Sequence, residues 1–223
     1  MELKDQILDL GKRARAASKG LARCSSEQKN KALLAMADEL IARSDALIAA
    51  NQQDVARATA DGLSCAMIDR LKLDSKRIAE MADGIRQVAG LPDPVGEVIK
   101  AWTRPNGLRI SKVRVPIGVI GIIYESRPNV TSDAAVLCTK TGNATILRGG
   151  SEAIHSNLVI AEALQAGLVA AGLPPDSILL VPTTDREAVK AMAEMDQYLD
   201  VIVPRGGQAL IEAVMAHARM PVI

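Results

Sequence analysis

Four short apolar runs in the second half of the chain constrain its fold more than any other feature. They lie at residues 117–124, 144–147, 178–181 and 199–203, and each is almost wholly apolar. Runs of this length are typical of strands buried on both faces of a sheet. Helical stretches separate them, at roughly residues 131–141, 152–171, 185–195 and 208–218. Strands joined by helical crossovers predict an α/β fold with a doubly wound parallel sheet over residues 116–223.

The first 90 residues show helical periodicity instead. The clearest stripe predicts one amphipathic helix, with its inner positions at residues 33, 34, 37, 40, 41, 44, 47 and 48. A capping-box pattern precedes it, because Ser25 is followed three residues later by Gln28. Gly62 and Gly90 are typical helix stops, the second reinforced by Pro92. Residues 1–95 are therefore predicted to form an N-terminal helical layer.

Residues 96–115 predict a protruding β-hairpin. Their β-formers alternate loosely, and the turn chemistry of Pro105, Asn106 and Gly107 lies between the two halves. Between Glu97 and Glu125 the chain carries five basic residues and no acid. This charge is typical of a phosphate-rich partner, or of a solvated face or subunit contact, and the sequence favours the second reading.

Composition and charge exclude several functional classes. The chain contains no Phe, one Trp and two Tyr, so modules that stack nucleic-acid bases on aromatic rings are poor candidates. A formal charge of +1 gives no overall attraction to nucleic acid or membrane. The first ten residues lack a signal-peptide pattern. The three cysteines, Cys24, Cys65 and Cys138, are widely spaced and odd in number, which favours reduced thiols over disulfides. We therefore expect a cytoplasmic protein that binds neither nucleic acid nor membrane.

Polar segments follow three of the predicted strands. They are residues 124–129, residues 148–152 and residues 204–207, and the last two each join an arginine to Gly-Gly just before a helix. Ligands of open α/β sheets bind beyond the carboxyl ends of the strands, and free N–H groups at a helix start favour an anion. A phosphate-bearing ligand is the inference, although Gly-Gly also serves simple chain reversal. Neither G-x-G-x-x-G nor a P-loop is present.

Other chemical signals are weak. His155 and His217 have no partner at metal-ligand spacing, so a surface or capping role is favoured for each and no metal site is predicted. Cys138 lies within an apolar helix pattern, which favours a buried structural thiol over a nucleophile.

Two longer stretches carry a resemblance to a known family. Residues 115–131 include Tyr-Glu-Ser-Arg-Pro-Asn-Val-Thr, and residues 140–150 read Lys-Thr-Gly-Asn-Ala-Thr-Ile-Leu-Arg-Gly-Gly. With residues 53–55, 67–71, 93–96, 171–174 and 202–207, they resemble the γ-glutamyl phosphate reductases of the aldehyde dehydrogenase superfamily, also called glutamate-5-semialdehyde dehydrogenases. The resemblance spans essentially the whole chain. It implies a variant Rossmann domain that binds its dinucleotide without the G-x-G-x-x-G turn.

The resemblance also implies a reaction of proline biosynthesis. A cysteine thiolate would displace phosphate from L-glutamyl 5-phosphate, and NADPH would reduce the thioester to L-glutamate 5-semialdehyde. Asn129 matches the asparagine that holds the oxyanion, while Arg148 and Ser151 match the region that would receive the 2′-phosphate of NADPH. The remaining residues matched to the cofactor site lie in the three polar segments: Glu125, Ser126, Arg127, Pro128, Gly149, Gly150, Pro204, Gly206 and Gly207. Residues 96–115 resemble the oligomerisation flap, so a homo-oligomer is expected, as is coupling to glutamate 5-kinase.

The sequence departs from the family pattern at its end. The nucleophile of this family lies in a Gly-Gly-x-Gly-x-Cys-His segment beyond the stretch that matches residues 220–223, and none of the three cysteines aligns with it. We therefore expect an N-terminal, cofactor-binding fragment without the catalytic cysteine domain, inactive alone. The alternative is a standalone nucleotide-binding or assembly module that does not catalyse a reaction.

Overall fold

A computed structural model describes residues 2–125 and 127–223. Five helices occupy the first 90 residues: α1 (Leu3–Leu21), α2 (Ser26–Ala42), α3 (Ser44–Ala60), α4 (Cys65–Leu71) and α5 (Ser75–Gly90). A hairpin of β1 (Val98–Thr103) and β2 (Arg109–Val113) follows. The remaining elements are β3 (Val119–Tyr124), α6 (Asn129–Lys140), β4 (Ala144–Arg148), α7 (Ile154–Ala170), β5 (Ile178–Leu180), α8 (Glu187–Ala193), β6 (Val201–Arg205) and α9 (Gln208–Met215).

The predicted parallel sheet is confirmed. Its four strands are parallel in the order β5-β4-β3-β6, so the chain moves outward from β3 to β5 and then crosses back to β6 on the other side of β3. β3, β4 and β5 are buried along their whole length, as their unbroken apolar runs require. Val222 adds a parallel bridge to Ile202 at the β6 edge. The neighbouring ends of β3 and β6 form the point at which the strand order reverses.

Helices cover both faces of this sheet, and the N-terminal helices contribute to each. One core joins α2, α5, α6 and α7 to the face that carries Ile120, Ile122 and Leu147. The other joins α1 and α8 to the face that carries Val119 and Ile146. Because α1 lies across the sheet from α2, the N-terminal helices form two layers around the sheet instead of one.

Two details of the predicted helical segment are wrong. The stripe over residues 33–48 belongs to two helices, which meet at Arg43 in a non-helical conformation. Leu34 and Ile41 are exposed, because the buried face of α2 runs through Lys29, Leu33 and Leu40. Neither proline nor glycine marks this break in the sequence. After this turn α3 packs against the start of α7, where the Asn51 amide donates to the Ser156 hydroxyl.

The predicted helix ends and hairpin are confirmed. Ser25 and Gln28 form the capping box, with N···O distances of 2.9 and 3.2 Å. Gly62 follows α3 at φ +74°, and Gly90 is the last residue of α5. β1 and β2 pair antiparallel, and nearly every residue of the hairpin is exposed.

The segment Ser151–Ala170, which contains α7, is apolar and long enough to cross a membrane by length and composition alone. Half of that window is nevertheless buried within the fold, where α7 packs against α2, α3 and α6. Its apolar character is accounted for by this packing.

Candidate functional site

The sheet brings the three predicted polar segments to one edge. Arg148 at the end of β4 pairs in register with Ile123 of β3, and Tyr124 at the end of β3 pairs with Arg205 of β6. Since the strands are parallel, the segments that follow them leave the sheet side by side. Ser126 lies outside the described residues, so the structure does not test its predicted role.

A cleft of about 470 Å³ opens at this edge. Tyr124, Glu125 and Arg148 form its inner wall, with Gly150 and Ser151 beside them. α8 and α9 supply the outer walls, where apolar side chains such as Leu210 alternate with charged ones. Its size is typical of a site for a small organic ligand.

Arg148 is held in the wall of this cleft. Its side chain is buried, and its Nη2 atom donates to the backbone oxygen of Thr184 at 3.1 Å. Burial lowers the pKa of its guanidinium, while the nearby Glu152 carboxylate raises that pKa. The Nε–H group has no hydrogen-bond partner among the described residues. A buried cation with an unsatisfied donor is the arrangement that an anionic or polar ligand would complete.

Gly149 and Gly150 both lie in close contact with neighbouring side chains. A Cβ atom at Gly149 would overlap the side-chain amide of Asn157, and one at Gly150 would overlap the Glu152 carboxylate. The Asn157 amide nitrogen also lacks a partner among the described residues, although its oxygen accepts from the Thr131 hydroxyl at 2.8 Å. The turn after β4 therefore lies tightly against two polar side chains of the following helical segment.

The start of α7 is held by Asp54, a residue that no sequence motif marks. Asp54 is fully buried on α3, and its carboxylate accepts from the Ser156 N–H at 2.8 Å and the Ser156 hydroxyl at 2.7 Å. The same carboxylate contacts the His155 ring nitrogen at 2.7 Å, so His155 has the predicted capping environment. Arg57, also on α3, donates to the backbone oxygen of Ser151. α3 thus fixes the turn that carries Ser151 into the cleft.

The second Gly-Gly turn is occupied by a carboxylate. Glu125 accepts from the Gly207 N–H at 3.1 Å, and Gly206 packs directly against the Glu125 carboxyl group. A negative charge at the N-terminus of α9 is favourable, as an anionic ligand would be. Pro204 lies within β6, in register with Ile123. Any phosphate bound at this turn would have to displace Glu125.

Asn129 lies outside the large cleft. It begins α6 and lines a second, smaller cleft of about 350 Å³ together with Arg127, while Pro128 precedes it as a buried residue. The Asn129 amide nitrogen donates to Asp133 at 3.1 Å. Burial raises the pKa of Asp133, and this hydrogen bond opposes that shift. Of the predicted residues, Glu125, Arg148, Gly150 and Ser151 therefore line the large cleft, whereas Arg127 and Asn129 line the smaller one.

The outer wall of the large cleft contains residues that sequence reasoning missed. Thr184 and Arg186 come from the β5–α8 loop, Lys190 from α8, and His217 from the segment after α9. No motif marks them, because they belong to ordinary helix starts and helix faces. The cysteine environments are as predicted: Cys138 is buried, and burial raises the pKa of its thiol to about 12. No group of three metal-ligating side chains occurs in the described part of the chain.

The doubly wound sheet, with its cleft beyond the strand ends at a reversal of strand order, places the chain in the class of open α/β domains whose ligands bind at such a position. The aldehyde dehydrogenase family model matches residues 3–222, and the chain belongs to that family. It is 53% identical over 223 residues to a γ-glutamyl phosphate reductase of Halothermothrix orenii, covering all of this chain and 53% of that protein. The resemblance seen in the sequence is thereby confirmed.

Two solved structures agree with this assignment. A γ-glutamyl phosphate reductase of Thermotoga maritima matches with a TM-score of 0.95 and 44% identity, over 97% of this chain and 52% of that one. The Saccharomyces cerevisiae γ-glutamyl phosphate reductase matches with a TM-score of 0.88 and 33% identity, over 100% of this chain and 56% of that one. The chain thus spans about half the length of these relatives.

Proposed function

We propose that this chain is the cofactor-binding part of an NADPH-dependent γ-glutamyl phosphate reductase, which reduces L-glutamyl 5-phosphate to L-glutamate 5-semialdehyde and releases phosphate. The observation that carries the proposal is 53% identity to such a reductase over the whole chain. The cleft at the carboxyl edge of the sheet, with its buried cation, agrees with it. The activity belongs to proline biosynthesis, and the proposed location is the cytoplasm.

The residues of the large cleft fit a dinucleotide. Arg148 would hold a ribose or phosphate oxygen with its free Nε–H, and Ser151 offers a hydroxyl on the adjacent turn. Apolar side chains between α8 and α9, such as Leu210 and Ala213, suit a flat ring. At the second turn Gly206 and Gly207 would receive the pyrophosphate once Glu125 moves away. When bound, the reduced nicotinamide supplies the hydride.

Asn129 is the proposed contact to the reacting carbonyl. Its amide nitrogen carries two N–H donors, of which one is committed to Asp133. The other remains available to a developing oxyanion, and one such donor contributes roughly 2.7–4 kcal/mol in a comparable site. None of the cysteines at positions 24, 65 and 138 matches the family nucleophile.

The hairpin supports the proposed homo-oligomer. Val98, Ile99, Trp102 and Val113 are large apolar side chains that stay exposed on it, together with Val115 just beyond. Clustered exposed apolar residues of this kind typically mark a protein interface. Coupling to glutamate 5-kinase is proposed because an acyl phosphate is prone to hydrolysis when released into water.

Calorimetric titration of the purified chain tests cofactor binding. We expect NADPH to bind more tightly than NADH, because only NADPH carries a ribose 2′-phosphate that the Arg148 region could bind. Arg148→Ala should reduce this preference. Equal affinities in the unaltered chain, or a preference unchanged by the substitution, would contradict the assigned role.

A reverse assay with NADP, phosphate and L-glutamate 5-semialdehyde tests the catalytic part of the proposal. We expect the 223-residue chain to remain at background, and a chain extended through the family's cysteine segment to turn over. Activity of the shorter chain that disappears on Cys138→Ser would instead assign the nucleophile to this chain.

A further inference from the structure

Arg186 is an exposed cation that lines the large cleft. It lies in the loop after β5, at the residue that precedes α8, and its side chain is exposed. It lines the same cleft as Arg148 and Ser151. In the described part of the chain the Arg186 side chain makes neither a hydrogen bond nor an ion pair, and only its backbone oxygen accepts one, from Val189 N–H.

The β5–α8 loop carries Arg186 and also holds Arg148 in place. The backbone oxygen of Thr184, two residues before Arg186, accepts the hydrogen bond from Arg148. The two guanidinium groups are close enough to repel each other, and this repulsion adds to burial in lowering the pKa of Arg148. Like charges that share a site are unfavourable unless an anion lies between or beside them.

The three acids that line the cleft equal its arginine and lysine side chains in number, but no acid forms an ion pair with Arg186 among the described residues. The Glu152 carboxylate interacts favourably with Arg148 and lies against Gly150. Glu125 is engaged at the Gly207 turn, and Glu187 lies on α8 directly after Arg186. Glu152 alone would favour a ribose hydroxyl, because a carboxylate accepts a hydrogen bond from a hydroxyl group and repels a phosphate.

We infer that Arg186 is the residue that determines cofactor specificity in this cleft, by pairing with the ribose 2′-phosphate of NADPH beside Arg148. The inference rests on the proposed function. An arginine binds a phosphate dianion through two parallel N–H···O bonds, and these are stronger than neutral hydrogen bonds. NADH carries a hydroxyl group at that position and gains nothing comparable from Arg186.

Titration of the unaltered chain and of Arg186→Ala with NADPH and NADH tests this assignment. A hydrogen bond to a charged group contributes enough for the substitution to weaken NADPH binding about tenfold or more, with NADH affinity unchanged within about twofold. Arg186→Lys should restore part of the loss. Adenosine 2′,5′-bisphosphate and AMP provide the same comparison without the nicotinamide. Arg104→Ala, an exposed arginine in the hairpin turn, is the matched control.

The possible results separate the two proposals. A selective loss of NADPH and bisphosphate affinity in Arg186→Ala supports the inference. An NADPH preference that survives Arg186→Ala overturns the inference and leaves the proposed function standing. Equal binding of both dinucleotides to the unaltered chain overturns the inference together with NADPH specificity. Failure to bind either dinucleotide overturns both proposals.

Discussion

Replacing Asp54 by alanine should destabilise the protein far more than an ordinary surface substitution. Asp54 is fully buried, and it accepts hydrogen bonds from both the backbone N–H and the hydroxyl of Ser156, itself fully buried. Each unsatisfied buried donor costs about 1–3 kcal/mol, and removing one partner of a buried charged contact costs about 3–5 kcal/mol. The contacts with Arg57 and His155 add little, because those side chains are substantially exposed. We expect a loss of about 3–5 kcal/mol in the free energy of unfolding.

Thermal unfolding followed by circular dichroism measures this loss. For a chain of this size 1 kcal/mol corresponds to about 2–4 °C, so Asp54→Ala should lower Tm by roughly 10 °C. Asp54→Asn keeps one acceptor oxygen and should lose about half as much. Asp61→Ala removes an exposed carboxylate just after the same helix and should change stability by less than about 0.5 kcal/mol. A change below about 1 kcal/mol in Asp54→Ala would refute the assigned capping role.

Three further outcomes are expected. Gly149→Ala should cost about 1–3 kcal/mol by overlap with a buried amide. Gly207→Ala has open space at its Cβ position and loses only the glycine preference at the N-cap of α9, so it should cost less than about 1 kcal/mol; equal effects in urea titrations would contradict this. The contact between Lys29 Nζ and the Asp93 carboxylate, at 2.5 Å, lowers the pKa of Asp93 although burial opposes this shift. The Asp93 carboxylate therefore stabilises the fold at pH values above its unfolded pKa of about 3.9, and this stabilisation is lost as the pH falls through its folded pKa. The stability difference from Asp93→Asn should therefore shrink below about pH 4, and a constant difference would count against it. A thiol reagent at pH 8 should modify the exposed Cys65 first and leave Cys138 unreactive until the protein unfolds. The reason is that burial raises the pKa of the Cys138 thiol to about 12. Rapid labelling of Cys138 in the folded protein would contradict this expectation.

The sequence by itself determined the strands of the parallel sheet and several helix ends. A strand covered on both faces must be apolar throughout. β3, β4 and β5 can therefore be recognised from unbroken runs of apolar residues in the sequence. The capping box at Ser25 and the left-handed stop at Gly62 are equally local. The segments that meet at the cleft edge were also predictable, because parallel strands end at the same side of a sheet.

Only the tertiary structure decided how distant polar groups pair. Asp54 caps a helix that begins about 100 residues later, and no pattern around Asp54 announces its partner. The turn at Arg43 carries no proline or glycine, and helical periodicity does not specify which face of the sheet a helix covers. Arg186 likewise lies at an ordinary helix start and becomes part of a site only where the β5–α8 loop also holds Arg148. Local sequence encodes burial and backbone conformation, whereas the pairing of buried charges depends on which elements the folded chain brings together.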